Sequence, residues 1–227
     1  MDVAANYRCI VDRISEAAAT VGRDPRKIKL LAAAKSQPVE KIRAAMAAGV
    51  TLIGENYVQE ARGKKESISG GAEWHMIGHL QRNKAKAAVE LFDVVESVDS
   101  IALGRELNKE AEKSGKKIRV FIEVNLGGEQ SKSGIAKHQA ADIATALSEL
   151  TNLSLEGLMT VPPFEERPED VRKYFRELRE LQMKLNQQAN IRMRELSMGM
   201  THDYPVAIEE GATIVRIGTA LFGPRER

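Results

Sequence analysis

Leu30-Leu31-Ala32-Ala33-Ala34-Lys35-Ser36-Gln37-Pro38 is the stretch on which the fold turns. Five apolar residues run without a break up to a single lysine, and the proline that follows suits the first turn of a helix. Extended outward, 28–35 reads as a strand that is apolar on both faces apart from Lys29 and Lys35, as in a strand covered from both sides. Parallel α/β folds place their chemistry at the C-terminal rim of such strands. Desolvation there disfavours the charged ammonium, so a lysine in that position can act as a nucleophilic amine. The same lysine can also simply end the strand and point to water, and the rest of the chain decides between the two.

Working outward, the same strand–helix unit recurs. Upstream, Val3, Tyr7, Ile10, Ile14 and Ala18 stand at helical spacing, so 1–21 reads as an amphipathic helix stopped by Gly22 and Asp24-Pro25. Downstream, a helix over 39–48 closes at Gly49. Strands then read at 52–55, 74–77, 93–98, 119–126, 155–161, 195–198 and 213–217. Helices read between them at 57–67, 82–91, 100–114, 137–150, 168–190 and 204–210. Eight strands, each but the last followed by a helix, predict an α/β protein with a closed (β/α)₈ TIM barrel and an extra N-terminal helix. An open doubly wound sheet is the alternative. No linker or composition shift divides the chain, so 1–227 reads as one domain.

The bulk numbers narrow the function. Hydrophobic residues make up 43% and charged residues 29% of 227, which suits a globular protein with a full core. The net charge of +2 gives no electrostatic case for nucleic acid or a membrane surface. Cys9 is the only cysteine, so no internal disulfide can form, as a reducing cytoplasm permits. The N-terminus lacks the apolar core of a signal peptide, and no run has the length to span a bilayer. Neither His75 nor His202 is read as a metal ligand in company with Cys9 or another histidine, so a metal site is not expected. A cytoplasmic location is the expectation.

In a barrel, function gathers just after each strand. Those positions hold Lys35-Ser36, Gly54-Glu55-Asn56, His75 with Gly78-His79, Asn125, Met159-Thr160, Ser197-Met198-Gly199-Met200-Thr201-His202, and Arg216-Ile217-Gly218-Thr219. Loops after strands seven and eight of barrels often cradle a phosphate on backbone N–H groups. Gly199 and Gly218 let the main chain approach an anion, Ser197 offers a hydroxyl, and Arg216 a fixed charge. Either cluster alone reads as turn glycines and a cap; the two together point to a phosphate. Lysine plus phosphate cradle fits a phosphorylated carbonyl compound, with pyridoxal 5′-phosphate (PLP) first and an aldolase-type sugar phosphate as competitor. Asn56 is a ring-side candidate through its amide. His75 reads either as a neighbour of the ligand or as a satisfied core histidine, and His202 as a surface or capping residue.

Taken in order, these motifs carry a resemblance. Lys35 after a small-residue strand, Gly54-Glu55-Asn56-Tyr57-Val58-Gln59-Glu60 and Trp74-His75-Met76-Ile77-Gly78-His79-Leu80-Gln81-Arg82-Asn83-Lys84 belong to the pattern. So do Gly157-Leu158-Met159, Ser197-Met198-Gly199-Met200 and Arg216-Ile217-Gly218-Thr219-Ala220-Leu221-Phe222-Gly223. Over nearly its full length the chain resembles the pyridoxal phosphate homeostasis proteins, the YggS/PROSC family, which are similar to the barrel domain of alanine racemase. One departure is Thr160 after Met159, where an alanine often stands.

The resemblance implies PLP held as a Schiff base on Lys35, with Met159 in the binding motif. It implies phosphate contacts from Ser197 and from the backbone of Gly199, Met200, Gly218 and Thr219. Arg216 would face the pyridine nitrogen and keep it unprotonated, which weakens the ring as an electron sink. The racemase has a second base, a tyrosine from a further domain, and none of Tyr7, Tyr57, Tyr174 and Tyr204 matches it. The expectation is therefore a PLP carrier for vitamin B6 homeostasis, with no catalytic residue assigned and little or no turnover, acting as a monomer. A racemase-like enzyme and a module that delivers PLP to apo-enzymes are the alternatives.

Overall fold

The computed structural model describes residues 2–68, 70–129, 132–187 and 191–224. Eight strands stand in the order in which they occur: β1 Lys29–Ala33, β2 Leu52–Glu55, β3 Glu73–Met76, β4 Val94–Val98, β5 Ile118–Glu123, β6 Leu153–Met159, β7 Glu195–Met200 and β8 Ile214–Ile217. Each pairs in parallel with its neighbours, and β1 pairs β8, so the sheet closes into a barrel. Among the described residues the helices are α1 Val3–Thr20, α2 Val39–Ala48, α3 Val58–Ser67, α4 Ala85–Leu91, α5 Ile101–Lys113, α6 Ala140–Ser148, α7 Arg172–Asn186, α8 Tyr204–Glu209 and α9 Thr219–Phe222. The structure is the expected (β/α)₈ barrel with an extra N-terminal helix, not an open sheet.

Strand alternation divides the apolar residues into two cores. Ala32, Ile53, Trp74, Val95, Val120, Leu158, Leu196 and Val215 face the helices in one continuous cluster. Leu31, Leu52, Val94, Phe121, Met159 and Ile214 form a second, separate cluster that fills the middle of the barrel. Below that plug, at the N-terminal end of the strands, Lys29 pairs with Glu195 at 2.6 Å and Arg119 with Glu73 at 2.8 Å.

α1 begins where the Asp2 carboxylate accepts the N–H groups of Ala4 and Ala5. Its buried stripe of Val3, Ile10, Ile14, Ala17 and Ala18 packs beside α2, α8 and α9. Asn6 Nδ2 donates to Leu221 O at 2.9 Å, and Arg23 Nη2 to Ala212 O at 2.8 Å. The N-terminal helix is thus tied to the last two βα units.

Several boundaries differ from the sequence reading. The helices read at 82–91, 137–150 and 168–190 each open with a 3₁₀ turn, and 188–190 lie outside the described residues. β5 stops at Glu123, because the Asn125 side chain turns the chain by donating to Glu129 O and Lys132 O. β6 lies two residues earlier than read and stops before Pro162-Pro163, which have no N–H for a ladder. β7 runs two residues further than read, to Met200. α9 was not anticipated; the N–H groups of Leu221 and Phe222 wind it onto Gly218 O.

Gly199, in the last turn of β7, has φ +90°, and a Cβ there would meet Ala207 Cβ at 2.5 Å. It thereby lets α8 sit directly on the strand. Gly199→Ala combines a left-handed backbone with overpacking and is expected to cost about 2–3 kcal/mol. A lowered urea midpoint at unchanged m-value would record that loss.

Candidate functional site

Lys35 lies two residues beyond β1, on the C-terminal rim. The turn is held by Ala34 N–H to Gly54 O at 2.8 Å and Gln37 N–H to Ala34 O at 2.9 Å. Ser36 stands at φ +59°, the only non-glycine residue with positive φ among those described. Lys35 Nζ sits 5.0 Å above the centre of the half-exposed Tyr57 ring. A tyrosine therefore does reach the lysine, by its ring face, although none was expected at the site.

Beside Lys35 opens a cavity of about 360 Å³. Its wall brings together Lys35, Asn56, Met200, Arg216, Gly218 and Thr219, six of the residues anticipated, and adds Thr201 and His202. His75, Met159, Ser197 and Gly199 are not in the wall. Met159 belongs to the apolar plug, and Gly199 packs under α8.

The reason for Ser197 is the extra length of β7. Two more strand residues place its side chain in the barrel interior, where the hydroxyl donates to Glu96 Oε2 at 2.5 Å and accepts from Arg216 Nη1 at 2.7 Å. Thr201 instead carries the hydroxyl of the rim loop. It receives the N–H of Ala220 at 3.3 Å and so joins the loops after β7 and β8. The sequence reading names Thr201 in the cluster after strand seven but assigns it no role, because it ends that strand at Met198. The Met200 N–H is already given to Asp203 Oδ1 at 2.6 Å. By contrast, the N–H groups of Gly218 and Thr219 find no acceptor among the described residues.

Arg216 points inward from β8 and is buried. Nη1 also donates to Ser197 O and Nη2 to Thr160 O, each at 2.7 Å. Burial lowers its pKa, and nearby Glu96, Glu123 and Asp203 oppose that shift. A guanidinium stays protonated in such surroundings, so the cavity has a fixed cation at its base.

Beneath Arg216 a polar chain runs down the barrel. Glu96 Oε1 meets His75 Nδ1 at 2.5 Å, and His75 Nε2 meets Glu73 Oε1 at 2.7 Å. Burial alone would lower the His75 pKa, but the bonds to Glu73 and Glu96 outweigh it and raise it. With a carboxylate on each nitrogen, both nitrogens donate and the ring is an imidazolium. The His75 bond and Arg119 together hold Glu73 down to about 2, against the desolvation that raises it. His75 is thus a paired interior histidine, removed from the cavity by Glu96 and Ser197.

His202, read as a surface or capping residue, stands in the cavity wall. Its Nε2–H donates to Glu166 O at 3.0 Å, and its ring lies 5.5 Å from that of the exposed Phe164. The loop after β6 thereby leans over the cavity. Among the described residues no group of His, Cys, Asp and Glu could hold a metal ion, and no helix is long and apolar enough to cross a membrane.

A lysine, a buried guanidinium, an amide, a hydroxyl and two free N–H groups around one cavity can take a small anionic carbonyl compound. Comparison with known proteins agrees with that chemistry. The family model described as alanine racemase, N-terminal domain, matches residues 4–226. A pyridoxal phosphate homeostasis protein of Aquifex aeolicus is 45% identical over 218 residues, 96% of each chain. One from Pseudomonas aeruginosa is 42% identical over 226 residues, 99% of this chain and 96% of that one. The structure of PipY from Synechococcus elongatus PCC7942, solved with PLP bound, superposes with a TM-score of 0.84 at 37% identity, covering 92% of this chain and 100% of that one. By full-length sequence likeness and by the matched barrel domain, the chain belongs to the family of pyridoxal phosphate homeostasis proteins.

Proposed function

We propose that this protein binds PLP as a Schiff base on Lys35 and holds it for vitamin B6 homeostasis, with little or no turnover of its own. The observation that carries the reading is one cavity shared by Lys35, Arg216 and the free N–H groups of Gly218 and Thr219. The binding of PLP by PipY supports it.

When bound, PLP supplies an electrophilic carbonyl carbon and an electron-withdrawing ring. Lys35 is the amine that tethers it. Gly218 and Thr219 offer amide protons to its phosphate, and the Thr201 hydroxyl adds a side-chain donor beside them. Asn56 lines the same cavity, and its amide would bond the 3-hydroxyl. Arg216, always a donor, would hold the ring nitrogen without a proton if it faced it, and so would keep carbanion chemistry slow. We read 1–227 as one PLP-binding domain that works as a monomer in the cytoplasm.

The test is an absorption spectrum with added PLP before and after borohydride reduction, followed by peptide mapping. An imine band fixed by reduction on Lys35 is expected, with the band lost in Lys35→Ala. A wild-type protein that takes up no cofactor overturns the reading.

A second reading, a racemase-like enzyme, is favoured by one observation: His202 adds a titratable group to the wall. Sustained turnover of L-alanine, lost in both Lys35→Ala and His202→Asn, would establish it. Delivery to apo-enzymes would show as reconstitution faster than matched free PLP achieves.

A further inference from the structure

Behind the Lys35 turn, outside the cavity, lies an ion pair that the PLP chemistry does not use. Glu60 and Lys64 stand four residues apart on α3, and Lys64 is 7% exposed. Its ammonium has three protons and places all of them. Nζ donates to Glu60 Oε1 at 2.7 Å, Glu55 Oε1 at 2.6 Å and the main-chain oxygen of Ala34 at 2.7 Å. Glu60 Oε1 in turn accepts the N–H of Ser36 at 2.5 Å. The carbonyl just before Lys35 and the amide just after it are therefore both fastened to α3 by one ion pair, of which Lys64 is buried and Glu60 partly exposed.

Ser36 shows what the fastening opposes. An L-residue at φ +59° is in the left-handed region that glycine adopts freely and serine does not. Such a conformation persists when its surroundings over-determine it, and it accompanies functional sites. Rotation at Ser36 would swing the Lys35 side chain away from the cavity. We propose that Glu60 and Lys64 are positioning residues that hold the Lys35 turn and so aim its amine at the bound carbonyl compound. This rests on the PLP reading above. A misplacement of about 1 Å at a reacting group can cost about a hundredfold in rate, so the loss should appear in the rate of imine formation.

The experiment compares wild type, Glu60→Met and the double variant Glu60→Met with Ser36→Gly. The imine band is followed after mixing with PLP, and urea midpoints are measured beside it. Glu60→Met is expected to slow band formation about tenfold in protein that remains folded. Adding Ser36→Gly, which makes positive φ free of strain, is expected to recover at least half of that loss on a logarithmic scale. A merely structural pair would lower the urea midpoint without changing the rate of the folded fraction. Without cofactor, a crystal structure of Glu60→Met should show Ser36 leaving positive φ. An unchanged rate, a slowing that Ser36→Gly does not recover, or an unmoved Ser36 overturns the positioning role. Absence of an imine in wild type overturns the PLP reading instead, and the Ser36 conformation still tests the clamp.

Discussion

Arg216→Met is expected to remove about 3–5 kcal/mol of stability, the range for breaking one side of a buried charged network. The guanidinium supplies three hydrogen bonds, to Ser197 O, Ser197 Oγ and Thr160 O. It also stands against Glu96, Glu123 and Asp203 inside the barrel. Methionine fills part of the volume but leaves those carbonyls and carboxylates without their donor and counter-charge. Urea unfolding would show the loss as a lower midpoint, and PLP uptake would fall with it. Arg216→Lys keeps the charge but not the forked geometry, so it should fall between the two. A loss below about 1 kcal/mol in Arg216→Met would mean that the interior carboxylates are satisfied without it.

Glu123→Gln should act in the opposite sense, and only above mildly acidic pH. Glu123 is buried with Oε2 unpartnered, and desolvation pushes its carboxyl up to about 7 against the pull of Arg216. In the unfolded chain it titrates near its ordinary value of 4.5. Between pH 4.5 and 7 the folded state holds the proton that the unfolded state has lost, so stability from this group falls as pH rises. Above pH 7 the whole cost is present, about 3 kcal/mol at roughly 1.4 kcal/mol per pKa unit. Glutamine never ionises. The variant should therefore exceed wild type by about that amount at pH 8 and lose its advantage by pH 4.5. A gain independent of pH would show that the charge on Glu123 is not the cause.

Much of the architecture was legible because a parallel barrel writes its strands as apolar runs and its helices as periodic ones. Lys35 and Arg216 stood out as charges at strand ends. What escaped notice was set by tertiary contact. Glu96 lies inside Val94-Val95-Glu96-Ser97-Val98, and nothing local says that it will meet His75 and Ser197 in the interior. Lys64 sits in Lys64-Lys65-Glu66, which reads as a solvated face, yet three acceptors from separate segments bury it. Ser197 and Thr201 were told apart only by where β7 ends.

The plug of Leu31, Leu52, Val94, Phe121, Met159 and Ile214 makes the barrel a cup rather than a tube. Below it the Glu73–Arg119 and Lys29–Glu195 pairs close the base. A ligand of the cavity would therefore enter and leave through one doorway, at the rim that carries Tyr57 and Phe164. On the proposed function, an enzyme that took the cofactor over would have to come to that same doorway, and while docked there it would shut the route to open water. Storage and hand-over would then be alternating uses of a single opening, and the second would need no back exit.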